Sequence, residues 1–189
     1  MDATGKVYGS PQGRKVAQFG EHMKLVKEYL DFKPKAEKGD AVAKIEFFIR
    51  AMAMGDYKSL DEAKKHLATL KKVSKEQQAR VDEQFLILEI GDVLKPVREN
   101  RDRNKAQELQ AGAGKTFLEM HKKGRVPKSE GLFGEFYSAI LAHAEVAKDI
   151  PAFEEALKLL EEKFPQATQF FEAKRKILEG MKEEKDEKK

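Results

Sequence analysis

The sequence predicts an all-α chain of stacked antiparallel helical hairpins in two similar halves, and three observations predict it. First, Ala, Leu, Glu and Lys are abundant in a 189-residue chain with only six prolines and no tryptophan. Straight-chain side chains lose little rotamer freedom in a helix, so this composition favours helix. Second, no segment of strand length alternates apolar and polar residues at a period of two. Third, one helical unit is written twice, AKIEFFIRAMAMGDYKSLDEAKKHLATL being echoed by GLFGEFYSAILAHAEVAKDIPAFEEALKLL. Glu46-Phe47-Phe48 corresponds to Glu135-Phe136-Tyr137 at an offset of 89, and Asp56 to Ala63 corresponds to Asp149 to Ala156 at 93. A slip of about one helical turn lengthens a helix without rotating its apolar face.

The elements follow in order. Residues 1–13, rich in glycine and proline, read as a flexible arm, and residues 14–182 as a single helical-repeat domain. Copy one spans about 17–91, a junction 92–105, and copy two about 106–180. The first helix is expected over Lys15–Phe32, with Val16, Phe19, Met23, Val26 and Leu30 on one face and a break from Pro34 to Asp40. Val42, Ile45, Phe48, Ile49 and Met52 mark a second helix over Ala41–Met54, ended by Gly55-Asp56-Tyr57. Leu60, Ala63, Leu67 and Leu70 mark a third, over Leu60–Lys72. Ser74 then reads as an N-cap with Gln77 at the capping-box position. The helix that follows runs to Ile90 and is apolar through Val81, Phe85, Leu86, Leu88 and Ile90, a surface wide enough to pack on both sides.

Pro96 starts or kinks a helix at the junction. In copy two, Ala106–Lys123 is expected to be helical despite Gly112 and Gly114. Phe133, Phe136, Tyr137, Ile140, Leu141 and Ala144 then form the cleanest amphipathic stripe in the chain. Phe153, Ala156, Leu157 and Leu160 define the next helix, with Pro151 in its first turn. Phe170, Ile177, Leu178 and Met181 define the last. Residues 183–189 carry only charge and are expected to be disordered.

Charge and composition narrow the function classes. A net charge of +4 is modest, but residues 95–128 hold ten basic and four acidic side chains. That block is the basis of an alternative reading, a nucleic-acid-associated accessory protein. The absence of cysteine excludes disulfides, thiol catalysis and Cys-ligated zinc. No apolar run approaches the roughly 18 residues needed to span a bilayer, so no membrane insertion is expected. No apolar leader begins the sequence, which leaves a cytoplasmic and an exported location both open.

The chemical motifs are sparse. Ala111–Thr116 ends in Gly114-Lys115-Thr116, but a phosphate loop needs a glycine where this chain has Leu109 and a strand before it. The small residues there suit a close approach of two helices instead. His22, His66, His121 and His143 pair with nothing at metal-ligand spacing, and no nucleophile, base and acid can be assembled. The expectation is a non-catalytic protein with no cofactor and no metal.

Gly55-Asp56-Tyr57, followed by Asp61-Glu62-Ala63 and Leu67, resembles the turn and second helix of a tetratricopeptide repeat. The second copy offers Asp149, Ala156 and Leu160, with Ala147 in place of the glycine. Both copies carry three extra residues between the Asp and the Ala, and the Trp-x-x-Leu-Gly-x-x-Tyr of the first repeat helix is absent. A looser likeness is to helical domains that precede thioredoxin modules in exported bacterial reductases. The resemblance implies an α-solenoid scaffold that binds another protein or peptide on the inner helices. Residues of the second helix in each copy that lie off its stripe are then the expected contacts: Lys44, Phe47, Arg50 and Met54, with Glu135, Ala139 and His143.

Overall fold

The computed structural model of the chain describes residues 16–57 and 59–186. The described residues form eight helices and no strand: α1 (Val16–Glu37), α2 (Ala41–Ala53), α3 (Leu60–Leu67), α4 (Lys75–Glu99), α5 (Arg103–Lys122), α6 (Glu130–Ala147), α7 (Ile150–Lys163) and α8 (Thr168–Asp186). The all-α prediction therefore stands. The arm at 1–13 lies outside the described residues. At the other end, α8 carries residues 183–186 as its last turn rather than as disordered chain, and 187–189 lie outside the description. Contacts divide the chain into two compact units, one up to Leu88 and one from Glu89 onward, so α4 contributes to both.

The helix ends have local causes. Asp40 caps α2 by accepting from the Ala43 amide at 2.9 Å, and Asp149 caps α7 by accepting from the Ala152 amide at 3.1 Å. Ser74 and Gln77 form the expected capping box, each accepting from the other's amide at 3.2 Å. Helix α1 closes at Gly39, whose φ of 96° belongs to the left-handed region. There the Asp40 amide reaches the Lys35 carbonyl and the Gly39 amide the Ala36 carbonyl, a Schellman closure. The same pair of bonds closes α6, but with Lys148 at φ 55° in the glycine's place.

Helix α1 was expected to break from Pro34 and a helix to start or kink at Pro96, and neither proline bounds a helix. Helix α1 runs through Pro34 and α4 through Pro96, and each stops three residues later, at Glu37 and Glu99. A proline removes one amide donor and crowds the carbonyl four residues back. In the final turn of a long helix that is one lost bond, so the helix finishes its turn before ending. The junction placed at 92–105 therefore falls largely within α4, and the unit boundary lies earlier, inside that helix.

In the first unit Ile45, Phe48, Ile49, Met52, Ala63 and Val81 form the core, with Leu67, Leu70, Val73 and Phe85 packed around it. A second cluster joins α1 to α2 through Tyr29, Ala51 and Met54, with Leu25, Val26 and Phe47. In the second unit α6 packs against both α5 and α7. Phe136, Tyr137, Ile140, Leu141 and Ala144 are buried as the stripe predicts, and so are Phe153, Ala156, Leu157 and Leu160 of α7. On α8 the buried anchors are Phe171 and Met181, while Phe170 is exposed. Ion pairs add to that contact, Arg175 with Glu161 at 2.8 Å and Lys182 with Glu154 at 2.6 Å.

The reading of Ala111–Thr116 as a helix contact is met directly. These residues lie inside α5, and a Cβ built on Gly114 would come 1.9 Å from the Ala139 carbonyl oxygen of α6. Only a glycine lets the two backbones meet there.

Candidate interaction surfaces

The seven residues expected as partner contacts separate on folding. Lys44 and Glu135 are exposed, and His143 is half-buried. Phe47 is half-buried too, its ring 4.8 Å from that of Tyr29 in the second cluster of the first unit. Arg50, Met54 and Ala139 are interior residues, at 8%, 7% and 0% exposure, and drop out as contacts. The physical reason is shared. The faces of α2 and α6 that leave the main stripe are covered by α1 and α5, so they form a second packing interface rather than an open groove.

Arg50 is buried because its charge is answered on every side. Its Nε donates to Glu28 at 2.9 Å, its Nη1 to Glu46 at 2.5 Å, and its guanidinium stacks 4.5 Å over the Phe32 ring. Glu46 also accepts from Gln77 at 3.0 Å and from Arg80 at 2.9 Å. Burial opposes ionisation of Glu46, but the hydrogen bonds from Gln77, Arg50 and Arg80 outweigh it and hold the carboxyl below its ordinary value. The network ties α1, α2 and α4 within the first unit.

A polar chain invisible in the sequence joins three helices of the second unit. The His121 ring places Nδ1 2.9 Å from the Tyr137 hydroxyl and Nε2 3.1 Å from Glu155. A carboxylate only accepts, so Nε2 carries the proton and Nδ1 accepts from the phenol in the neutral ring. Burial, with the Glu155 charge nearby, pushes the Tyr137 hydroxyl up to about 12. The phenol thus stays protonated and serves as a tie. Tyr57 and His66 make a comparable pair in the first unit, beside Phe48. Nothing local signals either pair, since the partners lie on separate elements.

Two surfaces remain open. The second unit has a groove of about 440 Å³ lined by Leu94, Val97, Gln110, Phe164 and the Gly131–Ala139 face of α6. At its rim Glu135 holds Arg98 at 2.8 Å. The other surface is on α1. Phe19, Met23 and Leu30 are 55%, 50% and 42% exposed. At about 100° per residue they fall within an arc of about 40°. The predicted apolar stripe exists as a stripe, but it is not the buried face. Helix α1 instead docks through Leu25, Tyr29 and Phe32, with Ala36 also buried and Val26 at the edge between the two faces. Val42, expected in the α2 core, is likewise exposed, at 60%.

The basic segment 95–128 is partly neutralised. Arg98 pairs with Glu135, Arg125 with Glu89 at 2.5 Å, and Lys122 with Glu119 at 3.1 Å. Lys95, Arg101, Lys105, Lys115 and Lys123 are exposed. Among the described residues no three His, Asp or Glu side chains gather as metal ligands, and no helix is long and apolar enough to cross a membrane. Compared with known proteins, the chain matches no family model, no curated sequence and no solved structure.

Proposed function

We propose that the protein is a non-catalytic helical-repeat scaffold that binds another protein through the outer face of α1. One observation carries the reading: Phe19, Met23 and Leu30 stand exposed in a line on a helix already anchored by a different face. Scattered exposed apolar residues need no explanation, but an aligned set marks an interaction site. The duplication supports the repeat character. The sequence correspondence pairs Phe48 with Tyr137 and Ala63 with Ala156, and all four side chains are buried. The resemblance to a tetratricopeptide repeat rests on the turn Gly55-Asp56-Tyr57 and on Ala63, which is small and buried. The nucleic-acid reading keeps Lys95, Arg101, Lys105, Lys115 and Lys123, which are exposed, but three other cations of residues 95–128, Arg98, Lys122 and Arg125, are paired with carboxylates.

The test compares two triple variants of the full chain in affinity capture. Phe19→Ser/Met23→Ser/Leu30→Ser is expected to keep the wild-type melting temperature and lose the captured proteins. Lys95→Glu/Lys105→Glu/Lys115→Glu is expected to retain them. The reverse ranking, with capture abolished by nuclease or by moderate salt, would establish the nucleic-acid reading instead.

A further inference from the structure

We infer that the partner of the α1 face is an acidic amphipathic helix, an inference that rests on the scaffold reading above. The spacing of Phe19, Met23, Val26 and Leu30 is four, three, four, as at the a and d positions of a heptad. Such a seam is narrow. A face that enters a lipid surface must spread over roughly 100° or more, whereas Phe19, Met23, Val26 and Leu30 occupy about 60°. The width therefore fits the ridge of one other helix and not a membrane.

Charge chooses among helices. Lys27 and Lys33 lie on either side of the seam, about 80° and 40° from Phe19, with Lys24 just beyond Lys27. Lys24 and Lys27 are exposed and Lys33 is half-buried. Two acidic side chains share that side, Asp31 at about 120° from Phe19 and Glu37 in line with it at the end of the helix, against the three lysines. A second copy of this chain would bring the same lysines against one another, so like charge disfavours a homodimer. A partner carrying glutamates beside its own apolar seam meets each lysine with an opposite charge.

The probe is a pair of synthetic helices of about 21 residues, three heptads long, with Leu at a and d. One carries Glu at e and g, the other Lys. In fluorescence anisotropy at low salt the intact protein is expected to bind the Glu helix at least about tenfold tighter than the Lys helix. Met23→Asp should weaken that binding by about tenfold or more with an unchanged melting temperature, since Met23 is half exposed. Lys24→Glu/Lys27→Glu/Lys33→Glu should reverse the preference. Equal affinity for the two helices, or indifference to Met23→Asp, overturns the inference. So does a dimer in sedimentation that Met23→Asp dissolves, which would make a second copy the occupant. Stronger association with vesicles of anionic phospholipid than with the Glu helix overturns it as well. If the serine triple variant loses its captured proteins while the Glu helix fails to bind, the partner class is wrong and the scaffold reading survives. If capture is untouched, both fall.

Discussion

At the scale of single residues, two glycines of α5 test the packing most sharply. Gly112 and Gly114 lie in one helix two residues apart, yet a Cβ at Gly112 meets nothing within 4 Å while one at Gly114 strikes the Ala139 backbone. Gly112→Ala should raise stability by about 0.5–1 kcal/mol through helix propensity. Gly114→Ala should lower it by about 3 kcal/mol, because α5 and α6 must separate. Urea unfolding of both variants checks the opposite signs. Lys148 makes a second case, holding φ 55° at a helix end where glycine would be unstrained. Lys148→Gly should gain up to about 1 kcal/mol in the same assay, the exposed pair with Glu184 contributing little. The sequence announced the close approach at Gly114 through small residues in a helical context. It could not announce Arg50, since a guanidinium between an aromatic stripe and a turn reads as surface until Glu28, Glu46 and Phe32 arrive from elsewhere in the fold.

At the scale of elements, the period of the apolar pattern located every helix but not always its inward face. On α6 and α7 the large residues of the stripe are buried apart from the half-buried Phe133, and the small Ala139, Ala142 and Ala152 are buried outside it. Helix α1 has two apolar faces about 120° apart. The more regular one, Phe19 to Leu30, is exposed, and the one broken by charges, Leu25 to Ala36, is docked. Periodicity reports that a face is apolar and says nothing of what covers it. The prolines taught a similar lesson, since their effect on α1 and α4 falls one turn later than the residue itself.

The Glu46 network, which fastens α1 and α4 to α2, makes the first unit sensitive to pH. Its carboxyl is held below the ordinary value of 4.5, so its contribution is complete above that pH. It is lost as pH falls through the lower folded value. Tyr137, raised from 10.0 to about 12, acts at the other end, its stabilisation lost as pH rises across that interval. Melting temperature followed against pH should fall at both extremes. Glu46→Gln should flatten the acid limb alone.

At the scale of the whole molecule, the all-α class was legible in the sequence, and Phe48, Tyr137, Ala63 and Ala156, the residues paired between the two expected copies, are all buried. The contacts divide the chain between Leu88 and Glu89, inside α4, which runs on through Pro96. The candidate site was legible only as an apolar pattern. Its meaning depends on which face of α1 the fold leaves open, and that is a property of tertiary packing. Methionine oxidation measures that property directly. Met23 is 50% exposed, while Met52, Met54, Met120 and Met181 are each at most 7% exposed. Under limiting peroxide, peptide mass mapping of the purified protein should show Met23 converted to sulfoxide well before those four, and Met23 alone should gain protection in native cell extract. Oxidation of Met23 as slow as that of Met52 in the purified protein, or no protection in extract, would contradict the claim that α1 presents a docking face.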